Sequence, residues 1–193
     1  MKYTYLTSFF LVLTLLSGCA HKAPKPSIKK EIKTRHLDLS KISYPKKIGD
    51  FELYEKKTLK SKDLGIMIRY VNPKMGKAFL DCYIYPQKKN STLDTEYRDV
   101  IAALNFMLKK GELTHLEKMY EDNRMLDKTH PVKRAVFDMA NQYTPYYSLL
   151  YLAKLGDHYF KVRTSQPHKK SFLTSDYEFK TLKELFSKIK FNK

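Results

Sequence analysis

Two neighbouring stretches with a strict period of two, split by a turn that proline and glycine impose, constrain the fold of this chain more than any other feature. Leu64, Ile66, Ile68 and Tyr70 alternate with Gly65, Met67, Arg69 and Val71. Beyond Asn72-Pro73-Lys74-Met75-Gly76, Ala78, Leu80, Cys82 and Ile84 alternate with Phe79, Asp81, Tyr83 and Tyr85. Such alternation belongs to a strand whose two sides meet different surroundings, and the proline and glycine between cannot continue a ladder. With residues 51–59 as an earlier strand and a turn at 60–63, the segment reads as an antiparallel meander.

The period then changes. Leu93, Tyr97, Val100, Ile101, Leu104 and Leu108 recur at helical spacing, with Ser91 or Thr92 placed to cap the first turn and Gly111 to end the helix. Residues 113–126 are ambiguous: Leu116, Met119 and Tyr120 suit a second helix, which we favour, although an edge strand also fits. Strands follow at 132–142, 146–155 and 158–165, separated by turn signals at Thr144-Pro145 and Gly156-Asp157. A terminal helix over 176–189 is predicted by the capping-box spacing of Ser175 and Glu178 and by the stripe Phe179, Leu182, Leu185, Phe186 and Ile189.

This order predicts one α+β domain over 49–193: a mainly antiparallel sheet of five to six strands covered by two or three helices. About 145 residues suffice for a single core, and no internal repeat divides them. The order of strands and helices resembles the PsbP and Mog1 type of sandwich. Locally, Pro45 with Ile48-Gly49-Asp50-Phe51, Leu64-Gly65, Tyr70, Tyr83 and Tyr85 is similar to a group of uncharacterised bacterial envelope lipoproteins. Neither likeness carries a function with it.

The amino terminus has the parts of a secretory signal: Lys2, an apolar run from Leu6 to Leu16, and small residues. The run is too short to span a bilayer. Leu16-Ser17-Gly18-Cys19 resembles the bacterial lipoprotein signal. That resemblance implies removal of residues 1–18, a diacylglycerol on the Cys19 thiol and a membrane-anchored protein of the cell envelope. Each buried acyl methylene contributes about 0.8 kcal/mol, so two or more chains anchor stably. Ala20 stands where the best-known inner-membrane retention signal has aspartate, which implies the outer membrane, facing the periplasm, in a Gram-negative cell. Residues 19–48 then form a basic tether, in which nine Lys and Arg against Glu31 and Asp38 give a net +7.

The full chain carries a net +17. Anionic headgroups or another envelope polyanion are the expected company, and nucleic acid is not, since an exported, anchored protein rarely meets it. Among catalytic and phosphate-binding signatures, Gly-x-Ser-x-Gly, His-Glu-x-x-His, the phosphate loop and Cys-x-x-Cys are all missing, and no cofactor motif stands out. His115, His130, His158 and His168 occur singly, so no metal site is expected. Cys82 is the one thiol beyond Cys19 and shares its strand side with Leu80 and Ile84, as a core residue would. Asp81 is placed to pair with Arg69 or a neighbouring lysine across the sheet.

Tyrosines crowd the later strands, including Tyr143, Tyr146, Tyr147, Tyr151 and Tyr159. If a partner docks, the expected surface is a basic strip with its neighbouring tyrosines: Tyr147, Tyr151, Tyr159, Lys161, Arg163, Lys169 and Lys170. The function expected is a noncatalytic, lipid-anchored module that binds an envelope protein or an anionic surface. The alternative is a hydrolase or thiol-dependent enzyme whose site assembles only in space.

Overall fold

The computed structural model describes residues 41–60, 65–75, 78–168 and 175–191, all within one compact unit spanning 35–193. Its strands are β1 (Ile42–Ser43), β2 (Lys47–Ile48), β3 (Phe51–Thr58), β4 (Ile66–Val71), β5 (Phe79–Pro86), β6 (His115–Met125), β7 (Pro131–Ala140), β8 (Pro145–Leu155), β9 (His158–Pro167) and β10 (Lys190–Phe191). The helices are α1 (Leu93–Lys109) and α2 (Ser175–Lys188), with a 3-10 turn at Pro73–Met75. One antiparallel sheet takes the order β2-β3-β4-β5-β9-β8-β7-β6, and β1 pairs separately with β10.

The expectation of an α+β domain with five to six strands and two or three helices is therefore corrected. Among the described residues the fold is mostly β, with eight strands in the main sheet, two in a ribbon and two helices. The largest difference is the ambiguous segment, which is the edge strand β6 rather than a helix. A bulge between Lys118 and Tyr120 shifts its register against β7. That extra residue breaks the period of two, so Leu116, Met119 and Tyr120 fall at a spacing that imitates a helix. At the other edge, Lys47–Ile48 joins the sheet against β3, and Ile42 and Ile48 are buried. Ordered pairing thus begins upstream of Gly49, inside the segment that composition assigns to the tether.

The meander forms as its alternation requires. Arg69 faces Asp81 and Ile68 faces Cys82 between β4 and β5. Gly65, entering β4, adopts φ +67, and a Cβ there would lie 2.7 Å from the Cα of Tyr85. Only glycine tolerates both that backbone conformation and that approach. Helix α1 is capped by Thr92, whose Oγ1 accepts from the Thr95 amide at 3.2 Å while Thr95 Oγ1 accepts from the Thr92 amide at 2.7 Å. Gly111, at φ +73, then turns the chain away.

Each helix covers one side of the sheet. On the α1 side, Tyr97 and Leu104 pack on Ala135, Phe137, Leu150, Leu152 and Tyr159. On the α2 side, Leu182 and Leu185, followed by Ile189, pack on Ile68, Cys82, Val162 and Phe160, with Phe179 and Phe186 half-buried beside them. The expected stripe of α2 is thus its contact surface. Glu178 does not fold back to cap the helix; it turns inward to accept from Gln166 Nε2 and, at 3.5 Å, from Thr164 Oγ1. Arg134, 3% exposed, sits nearby and is held by Asp122 through two bonds of 2.8 and 3.0 Å.

Two predictions follow from this packing. Gly65→Ala should cost at least about 2 kcal/mol in urea unfolding, because strain and backbone overlap combine. Burial pushes the Glu178 carboxyl up to about 8, against the pull of Thr164, Arg134 and Gln166. A carboxyl raised above its unfolded value contributes fully below about pH 4.5 and loses that contribution as pH rises to about 8, at no more than about 1.4 kcal/mol per pH unit. Glu178→Gln keeps an acceptor for Gln166 and removes the proton. Its stability relative to the native chain should therefore rise across that window and level off above it, as read by urea unfolding at several pH values.

Candidate binding face

Register decides which side chains meet. Asp81 pairs with Arg163, Tyr83 with Lys161 and Tyr85 with Tyr159 between β5 and β9, so these six share the α1 side of the sheet. Helix α1 lies over the part formed by β7 and β8, and a charged row crosses β4, β5 and β9 beside it. Within the row, Arg69 donates to both Asp81 oxygens, at 2.6 and 2.7 Å, and its guanidinium lies 4.8 Å from the Phe79 ring centre. Asp81 is only 4% exposed, so this two-point pair satisfies a carboxylate that water barely reaches.

Asp81 is the cross-strand neighbour of both Arg69 and Arg163, and its oxygens turn to Arg69. Arg163 is left with Ser148 Oγ at 3.3 and 3.4 Å and Met139 Sδ at 3.9 Å. No described carboxylate lies within ion-pairing distance of it. The buried Tyr146 hydroxyl stands beside this guanidinium, whose charge opposes the upward pKa shift that burial causes. Two residues along β9, the Lys161 ammonium lies 4.5 Å from the Tyr83 ring centre and 5.6 Å from that of Tyr85. It too has no carboxylate within 4 Å among the described residues. Burial, and then the Arg163 charge, push it down to about 8, although Glu96 and Asp81 pull the other way. Tyr85 donates to Glu96 Oε1 at 2.9 Å, while Glu96 Oε2 is buried without a hydrogen-bond partner.

The tyrosines and cations of the expected strip are divided by the same alternation. Lys161 and Arg163 stand together, half-buried. Tyr159 is on their side but wholly buried, its hydroxyl 2.7 Å from Ser91 Oγ. Tyr147 and Tyr151 point to the other side of the sheet. Tyr147 stacks on His168 at 4.2 Å, and Tyr151, 1% exposed, stacks on Phe179 at 6.2 Å. Lys169 and Lys170 lie outside the described residues, as does Cys19.

Cys82 is fully buried in the α2-side core, and that burial drives its thiol pKa well up. This leaves no thiolate at neutral pH for a nucleophile. His130 bonds Asp127 at 2.8 Å, His168 bonds Asp138 at 2.9 Å, and His158 stacks on Phe191 at 5.5 Å. Among the described residues no group of three or more His, Cys, Asp or Glu converges as metal ligands would. Sequence reasoning offered Arg69 as one partner of Asp81, named Tyr146 only among the clustered tyrosines and Glu178 only as a helix cap, and missed Glu96 and Ser148. They come from other strands and helices, and their one signal was a polar residue at an inward-facing position.

A second feature lies where the chain joins the sheet: a shallow groove of about 520 Å³ lined by Ile42, Ser43, Tyr44, Lys46, Leu53, Tyr54, Glu55 and Lys56. Lys56 Nζ lies 5.5 Å from the Tyr44 ring centre, and Tyr54 is 64% exposed.

Neither a protein-family model nor a curated protein matches the sequence. Among solved structures the chain resembles the solution structure of cyanobacterial PsbP (CyanoP) from Synechocystis sp. PCC 6803, with a TM-score of 0.50 and 12% identity, covering 80% of this chain and 95% of that one. The fold is thus PsbP-like, as the order of strands and helices suggested. At this identity the likeness concerns fold alone.

The charged row gives a test of its own. Asp81→Asn removes the carboxylate that both Arg69 and Arg163 flank across the sheet and should cost about 3–5 kcal/mol. Arg69→Met should cost less than half as much, because Arg163 is already the other cross-strand neighbour of Asp81 and can take the carboxylate. Urea unfolding of the two variants at neutral pH distinguishes the cases.

Proposed function

We propose that the protein is a noncatalytic envelope module, anchored by lipid on Cys19 and docking against an anionic membrane surface. In a Gram-negative cell, Ala20 in place of aspartate directs it to the outer membrane, with the domain in the periplasm. The observation that carries the docking reading is the groove at Ile42–Ser43 and β3. It continues directly from the basic tether and combines an apolar floor (Ile42, Leu53) with Lys46, Lys56 and two tyrosines. Tyrosine, with an apolar body and a polar tip, favours the headgroup level, and each lysine near an anionic leaflet contributes about 1 kcal/mol. Among the described residues no helix is long and apolar enough to cross a membrane, so attachment falls to the acyl chains in this reading. No arrangement among the described side chains favours the hydrolase or thiol-dependent alternative.

The anchor and the docking surface are tested separately. Native protein should carry a diacylglycerol-modified Cys19 by mass spectrometry, and Cys19→Ala should move from the membrane pellet to the soluble fraction. An unmodified thiol, or a variant that still sediments fully, overturns the anchor. The soluble Cys19→Ala chain should bind vesicles containing anionic phospholipid, more weakly as salt rises and more weakly still with Lys46→Glu and Lys56→Glu. Binding indifferent to salt and to both lysines overturns the docking surface.

A further inference from the structure

The α1 side of the sheet holds two cations whose situation packing alone does not explain. Arg163 has five N–H donors, and its contacts among the described residues are the Ser148 hydroxyl at 3.3 to 3.4 Å, the Tyr146 hydroxyl and the Met139 thioether, with no carboxylate. Lys161 has three donors and meets only the faces of Tyr83 and Tyr85. Two residues apart on one strand, their Cα atoms are separated by about 6.6 Å and their side chains rise from the same side of the sheet. Each could have been matched by a carboxylate, as Arg69 is by Asp81. Instead Ser148 and Tyr146 bring hydroxyls to Arg163, and Tyr83, Phe79 and Met139 supply apolar walls. Arg163, Lys161, Tyr83, Phe79 and Tyr146 are all half-buried, so the place opens to solvent.

We infer that Lys161 and Arg163, with the hydroxyls of Ser148 and Tyr146, form a binding site for a monocarboxylate that carries an apolar body. The planar guanidinium fork matches a carboxylate through two parallel bonds, and the ammonium adds a point charge. The neighbouring charges set the valence of the ligand. Asp81 already neutralises Arg69, and Glu96, which accepts from the hydroxyl of the Tyr85 ring that Lys161 lies against, is the nearby counter-charge for Lys161. One net positive charge remains to be balanced, which a single carboxylate does and a phosphate dianion overshoots. The neighbouring rings and thioether would lie against the apolar body of the ligand and shield its ionic contacts from part of the water. Unlike the docking groove, this site does not depend on the lipid anchor.

The test is a titration of the Cys19→Ala chain with benzoate, with its uncharged isostere benzamide and with inorganic phosphate, followed by calorimetry and by thermal unfolding. Benzoate should bind saturably and raise the unfolding temperature, and benzamide and phosphate should do neither at the same concentration. Arg163→Gln and Lys161→Met should each weaken benzoate at least about tenfold, the loss of one charge-assisted contact. The ligand comparison uses unaltered β9, so it stands even where a variant folds poorly. Absence of saturable benzoate binding, equal binding of benzamide, tighter binding of phosphate, or undiminished affinity in a folded Arg163→Gln variant each overturns the site.

Discussion

Every central strand of the sheet serves two interiors at once, and the rest of the structure follows from that constraint. With α1 on one side and α2 on the other, successive residues of β5 enter different surroundings: Leu80, Cys82 and Ile84 line one, Asp81, Tyr83 and Tyr85 the other. A slip of one residue would exchange them all. The pairing of Arg69 with Asp81 works against such a slip, because a displaced register would set a buried carboxylate among leucines.

The two sides divide the labour. The α2 side is largely apolar, with the Glu178 carboxyl enclosed and its pKa raised by burial, and with Asp122 holding the buried Arg134 nearby. The α1 side is apolar only beneath the helix, over β7 and β8. Beyond it the side chains become a row of cations, one carboxylate and phenol rings, half-open to water. A surface of that kind contributes little to stability for the charge it carries.

The region where the chain joins the sheet links fold to proposed location. The β1–β10 ribbon and β2 tie the amino-terminal segment to the carboxyl end and to the outer edge of β3. In the proposed reading, the tyrosine and lysine groove draws part of its lining from the segment that follows the lipidated cysteine in sequence. The PsbP-like architecture supplies the frame. What this chain adds are its own residues in the groove and on the charged row.

Local chemistry was enough to read several elements directly. The turn at Pro73–Met75, the cap of α1 to within Ser91 or Thr92, the buried stripe of α2 and Arg69 as one of the partners offered for Asp81 all depend on residues close in sequence or directly opposite in a simple meander. The edge strand β6 was not legible, because its bulge gives a helical spacing and because an edge position, exposed on both sides, leaves no alternation to detect. Tyr147, Tyr151, Tyr159, Lys161 and Arg163 looked like one strip because they lie close in sequence, yet the pleat of β8 and β9 sends them to two sides of the sheet. The sequence by itself determined the alternation, the turns and the inward set of each meander strand, since these are short-range steric and hydrophobic matters. Only the tertiary structure decided which cations keep a carboxylate and which stand without one. That depends on strands β4, β5, β8 and β9 meeting side by side, through pairs as far apart in sequence as Phe79 and Ser165, which no local pattern encodes.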